Sequence, residues 1–297
     1  MGGRNWRCKG SNIKVHFAGL EGIPHAISSL TAGVDYGLAT AFNGVFKLFK
    51  NGKMDDKRLI QNISQHYKHF ILDSGLFTLM FGSHKGKKDE AYLDKWYQCL
   101  TEYVLHQQYK GTMVEVDCQK VLGPEKAWQY RIQMRDKMPN RIINVFHLED
   151  GQKGLDRMIE FSDYIAISVP ELRFMNKKEY LYKLASYIKN KKPSIDIHLL
   201  GFSEKVNLEK YKFCSSCDST SWLAPVKYGL VDIGKNKLHI KNLKEEVWRK
   251  KCVEWEHINK TLFPEYKTKC NPQYYGTETY CASQSLKTYT KFAGPQD

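Results

Sequence analysis

Asp73, Ser74, Asp117, His147, Ser168, Glu171, Gly201 and Asp218 share one kind of position: each stands where a short apolar run gives out. The runs are "HFILDSG" (69–75), "TMVEVDC" (112–118), "IINVFHL" (142–148), "YIAISVP" (164–170), "IDIHLLG" (195–201) and "KFCSSCD" (212–218). Carboxylates that face one site suit glycosyl transfer. One attacks the anomeric carbon and carries a covalent intermediate, while the other protonates the departing group and later takes a proton from the incoming one. Their surroundings must then hold the two in different protonation states. Each residue also has a plainer use. An Asp after a strand caps the next helix, His147 can be a satisfied core histidine, and Phe77 can be core. Asp73, Asp117 and Asp218 at three separate run ends strain the capping explanation.

The elements that must position these residues alternate. Together with "IKVHFAG" (13–19), the apolar runs have strand length, and 89–109, 124–137, 151–161 and 177–190 carry apolar residues at helical spacing between them. Pro124 and Glu125 after Gly123 mark a helix start. Strands that alternate with helices pair in parallel, and runs apolar on both faces suit a covered or closed sheet. Seven or eight such units predict an α/β fold, a (β/α)8 TIM-type barrel with insertions and a small C-terminal extension. In such a barrel all the strand ends meet at the C-terminal rim, where active sites form. No Gly-rich phosphate loop follows a strand, which removes the main signature of a dinucleotide-binding sheet. Residues 39–56, with "FNGVFKLFKNGK", read as an inserted hairpin or lid. The expected division is a barrel over 1–240 and an extension packed on it over 241–297.

Charge is the strongest bulk signal. Among 297 residues, 46 Lys and Arg face 32 Asp and Glu, a net +14, which points to a polyanionic partner. The basic residues cluster at 85–88, 176–178, 189–192 and 248–251, where each run can equally be a solvated loop or helix end. At 42% hydrophobic and 13% aromatic, the composition excludes a disordered chain. No segment approaches 18 consecutive apolar residues and no signal-type run follows the N-terminus, so a soluble, cytoplasmic protein is expected. The eight cysteines are scattered and read as reduced thiols.

Taken in order, the strand-end stretches resemble the tRNA-guanine transglycosylase superfamily over roughly residues 12–230. "DSGLF" (73–77) is similar to its DSGGFQ-like motif, "VDC" (116–118) to its FDE-like strand end, and "HLLG" (198–201) to its run of that type. "CDSTSW" (217–222) looks like its nucleophile motif, and "SVPE" (168–171) weakly echoes its Gly-Gly loop. The family's CxCxxC zinc run is missing, and Leu76 replaces its second Gly. A Trp follows the nucleophile motif at 222. Both the missing zinc run and the short chain are closer to the phage and bacterial DNA 7-deazaguanine transglycosylases (DpdA type).

The resemblance implies exchange of guanine in DNA for a free 7-deazaguanine base (preQ0-like), in the host cytoplasm if the chain is phage-encoded. Asp218 would be the nucleophile and Asp73 the general acid and base. Asp117 and Ser74 would read the purine edge, and Phe77 would stack on the base with Leu200 and Gly201 opposite. His147 and Ser168 would line the base pocket. The chemistry requires no cofactor. Cys252, His257, Cys270 and Cys281 follow at about the family's zinc distance and form a candidate structural zinc set. The same exchange on tRNA, a non-catalytic nucleic-acid-binding homologue and an ordinary glycoside hydrolase barrel stay open as alternatives. So do a homodimer and a partner protein.

Overall fold

The computed structural model describes residues 12–54, 57–81, 89–202, 204–233 and 236–296. The basic run at 85–88 therefore lies outside the described residues. Eight strands pair in parallel in chain order: β1 (Lys14–Ala18), β2 (Tyr36–Thr40), β3 (His69–Asp73), β4 (Thr112–Val114), β5 (Ile142–Phe146), β6 (Tyr164–Ser168), β7 (Asp196–Leu200) and β8 (Ser216–Ser219). β8 returns to pair with β1, with His16 opposite Asp218, and this closes a (β/α)8 barrel.

Helices form the outer ring. α1 (Ile23–Thr31) follows β1, and α2 (Phe42–Asn51) and α3 (Leu59–Ser64) follow β2. After β3 come α4 (Leu76–Phe81) and α5 (Glu90–His106). α6 (Gln119–Lys137) follows β4, α7 (Gly151–Phe161) follows β5, and α8 (Val169–Phe174) with α9 (Tyr180–Lys191) follows β6. A 3-10 turn, Lys205–Tyr211, follows β7, and α10 (Ala224–Tyr228) follows β8. Beyond the barrel lie the hairpin β9 (Leu230–Ile233) and β10 (Asn236–His239), then α11 (Glu245–Leu262) and α12 (Thr277–Ala293).

The stretch expected to be a hairpin or lid is instead strand β2 and helix α2. Phe42, Val45, Leu48 and Phe49 recur at helical spacing and are buried, so the stretch gains more by laying that stripe on the barrel than by turning at Asn43-Gly44. The helix ends at Gly52, which is left-handed, with φ 61°. Gly123, non-helical at φ 82°, separates two helices that run together as α6, and the second begins at Pro124 as expected.

Alternation along the strands assigns two cores. Residues such as Phe17, Phe70, Leu72, Ile165 and Leu199 face the helices in the larger cluster. Ala18, Leu38, Ile71, Val114, Ile143, Val145 and Ala166 fill the barrel interior. Beneath them the interior is polar. His16 Nε2 lies 2.7 Å from His69 Nδ1, His69 Nε2 lies 2.7 Å from Thr112 Oγ1, and Arg141 pairs with Asp196 at 2.7 Å. Burial pushes the His16 imidazole down to about 3 and depresses that of His69 as well, so this layer holds neutral rings.

α11 and α12 pack on α1 through Trp255 Nε1, which donates to Ser28 Oγ at 3.2 Å, and through His25 against Glu278 at 3.0 Å. The Gln296 amide bridges the backbone of β1, accepting from Val15 N at 2.8 Å and donating to Ile13 O at 3.1 Å. Among the described residues no helix is long and apolar enough to cross a membrane.

Candidate active site at the barrel mouth

The inward-facing parity that fills the barrel also sets its rim. On β3, His69 and Ile71 face inward, so Asp73 does too. On β8, Ser216 faces inward, so Asp218 follows. The same rule brings Thr40, Ser168 and Leu200 to the mouth. Asp73 and Asp218 sit close enough that the charge of Asp218 contributes to raising the Asp73 carboxyl.

The two acids are held in matching ways. Asp73 Oδ1 accepts from Gly75 N at 2.8 Å and from Thr40 Oγ1 at 3.4 Å. Asp218 Oδ1 accepts from Gly201 N at 2.8 Å and from His198 Nε2 at 3.1 Å. In each the bonds fall on Oδ1, and no described residue hydrogen-bonds Oδ2. Because a carboxylate only accepts, His198 donates through Nε2, and Nδ1 of the neutral ring accepts from Ser216 Oγ at 2.6 Å. Burial is the main reason that the Asp73 carboxyl rises from 3.8 to about 6, with Asp218 and Glu21 adding to it and the Gly75 and Thr40 bonds opposing.

Two glycines make these loops feasible. Gly75 has φ +76°, and a Cβ there would lie 2.8 Å from the Phe42 backbone. Gly201 has φ +66°, and a Cβ would lie 2.9 Å from Pro170 Cγ. Leu76, where the resembling motif has Gly, is buried at the start of α4, so the replacement serves the core and leaves the close approach to Gly75.

A second constellation spans β4 to β6. His147 is buried between Asp117, at 2.7 Å from Nε2, and Glu171, at 2.9 Å from Nδ1. Burial opposes its charge, yet the two carboxylates push the imidazole up to about 10, so it is a cation with both N–H groups committed. Lys120 Nζ reaches Glu149 at 2.6 Å and Glu171 at 3.0 Å. Beneath lies a fully buried pair, Arg131 Nε to both Glu115 oxygens at 2.9 Å. Arg131 Nη2 also donates to Gln119 Oε1 at 3.4 Å, next to Lys120.

Of the residues expected from sequence, Asp73, Asp218, Asp117, His147, Ser168, Leu200 and Gly201 gather at this end of the barrel. Several take different parts from those expected. His147 orients Asp117 and Glu171 and has no N–H left for a ligand. Ser168 caps α8, accepting from Glu171 N at 3.3 Å. Gly201 holds the nucleophile candidate through its N–H. Ser74 is buried with its carbonyl bound by Trp96 Nε1 at 3.3 Å. Phe77 is 69% exposed, so it is not core.

The zinc set does not assemble. Cys252 and Cys270 are buried close enough to perturb each other's thiols, but His257 lies on another face of α11, five residues and roughly 140° around from Cys252, and is exposed. Cys281 is buried in α12, and among the described residues no three His, Cys, Asp or Glu could hold a metal ion.

Glu171, one of the expected rim residues, joins the site, and Thr40 and His198 complete it without having been singled out for it. A detectable signal for His198 was alternation, since Asp196, His198 and Leu200 form one face of an otherwise apolar run. A cavity of about 220 Å³ lined by Gln61, Tyr67, Phe70 and Tyr109 opens at the starts of β3 and β4, the opposite end of the barrel, and no acid lines it. A half-buried carboxyl raised to about 6 beside a second, oriented carboxylate is an arrangement able to break and remake a glycosidic bond. The chain matches no known family model and no curated protein.

Proposed function

We propose that the protein is a DNA-guanine transglycosylase that exchanges guanine for a 7-deazaguanine base through a covalent aspartyl-glycosyl intermediate. The observation that carries this reading is the meeting of Asp73 and Asp218 at the mouth, with the Asp73 carboxyl raised to about 6. The net +14 charge and the ordered motifs favour nucleic acid as the carrier of the glycosidic bond.

Asp218 Oδ2 attacks C1′ of the deoxyribose, the bond to guanine N9 breaks, and Asp73 gives its proton to the departing base. The free deazaguanine then loses its N9 proton to Asp73 as N9 attacks C1′ and expels Asp218. One glycosidic bond replaces another, so electrons and protons balance without a cofactor. In this reading Asp117, its Oδ1 held by His147, accepts through Oδ2 from the ring N–H and amino group of a guanine-type base. Phe77, exposed just past Asp73, offers a face for the base to stack on.

Incubating the protein with DNA or tRNA and a labelled guanine or deazaguanine tests the reading. Label is expected in DNA, with a denaturant-stable protein–DNA adduct, and both should vanish in Asp218→Asn. Incorporation that survives that substitution removes the nucleophile assignment, and labelling of tRNA alone transfers the chemistry to RNA. Absence of any adduct with either polymer leaves a binding module.

A further inference from the structure

The arm that carries Glu171 into the site also carries an aromatic ring out of it. α8 is anchored by Val169 and Leu172, both buried, whereas Phe174 at its last turn is 91% exposed. The helix end is locked. Met175 N donates to Glu171 O at 3.0 Å, Asn176 N to Arg173 O at 3.0 Å, and Lys177 N to Leu172 O at 2.8 Å, with Asn176 left-handed at φ 54°. Phe174 therefore stands on a rigid stub and not on a loop that can fold it down. Its neighbours fit a polyanion: from 173 to 183 there are four basic residues, Arg173, Lys177, Lys178 and Lys183, against one acid, Glu179, and residues 174–180 are all exposed. Arg173 and Lys178 both pair with Glu204, which joins α8 to the turn after β7, where Val206 is also exposed. A single exposed apolar side chain is ordinary. A fixed Phe within a basic strip, beside a mouth that must admit one nucleotide, has a specific use.

We propose that Phe174 is the wedge that enters the base stack of duplex DNA and fills the gap left when the target guanosine swings into the site, with Lys177 on an adjoining phosphate. Extruding a base costs its stacking and pairing, and an inserted aromatic ring restores part of the stacking. This rests on the transglycosylase reading and adds that the substrate is double-stranded. A single strand has no paired stack to open and makes no use of Phe174 as a wedge.

The test uses two readouts on the full chain. The first is brightening of a mixed-sequence duplex with 2-aminopurine in place of adenine, mixed with wild type, Phe174→Ala and Phe174→Trp. The second is adduct formation on duplex and single-stranded DNA. Wild type and Phe174→Trp should brighten the duplex. Phe174→Ala should not, and its duplex adduct rate should fall roughly 10- to 100-fold while its single-strand rate stays within about twofold of wild type. Brightening by Phe174→Ala equal to wild type, no brightening by wild type, or equal losses on both DNA forms would each overturn the wedge. Adduct formation on single-stranded DNA reports separately on the chemistry, so failure of the wedge and failure of the transglycosylase reading give different results.

Discussion

If Asp73 supplies the proton to the departing base, the first half-reaction should follow its protonated fraction. With the carboxyl at about 6 and not at 3.8, roughly one molecule in ten carries the proton at pH 7, against fewer than about one in a thousand for an unshifted group. The rate of adduct formation is therefore expected to be flat at low pH and to fall about tenfold per unit as pH rises above about 6. Thr40→Val is the informative perturbation. It keeps the shape of the side chain and removes the 3.4 Å bond that favours the ionised carboxyl, so the midpoint should move upward by a few tenths of a unit, a long hydrogen bond being worth about 0.5 kcal/mol. Glu21→Gln should move it the other way, because it removes a negative charge that raises Asp73 yet retains an acceptor for Thr40 N. Single-turnover quench experiments across pH 4–9, read as protein–DNA adduct on a denaturing gel, measure all three midpoints. A profile without an inflection between pH 5 and 7, or two variants that shift in the same direction, would refute the assignment of Asp73 as the acid.

Two further expectations concern residues behind the acids. His198→Phe keeps a ring in the barrel but removes one of the two donors on Asp218 Oδ1, so adduct formation should slow about 10- to 150-fold with the KM for free base unchanged; an equal rise in KM would show that His198 shapes the base site instead. Glu115→Gln leaves the Arg131 guanidinium buried beside an uncharged partner and should cost about 3–5 kcal/mol in urea unfolding, and a loss under 1 kcal/mol would mean that the pair is solvated or replaceable.

The fold was legible because its strands are apolar runs with helical spacing between them, and each run's end marked a place on the rim. β2 carries little signal: "YGLAT" is short and holds Gly37 and Ala39, and "FNGVFKLFKNGK" after it reads as a hairpin or lid although it folds as a helix. Asp73 and Asp218 could be placed from strand ends alone, since the barrel brings all such ends together. Their partners could not. The bond from His198 to Asp218 joins residues 20 apart on neighbouring strands, and the clamp on His147 draws in Asp117 from the segment after β4 and Glu171 from α8 after β6. Side-chain pairings of that kind depend on register and helix pitch, which composition does not encode. The same limit explains the scattered zinc candidates, because order along the chain said nothing about which face of α11 each would occupy.

The bonds under Asp218 have a direction. Asp218 takes the Nε2 proton of His198, His198 Nδ1 takes the hydroxyl of Ser216, and Ser216 then has only a lone pair to offer the Tyr164 hydroxyl. Once Asp218 became an ester, its pull on the first of these protons would slacken, and every link below would slacken with it. Tyr164, sealed at the floor of the barrel, would thus sense whether a sugar is attached at the top, without ever touching it.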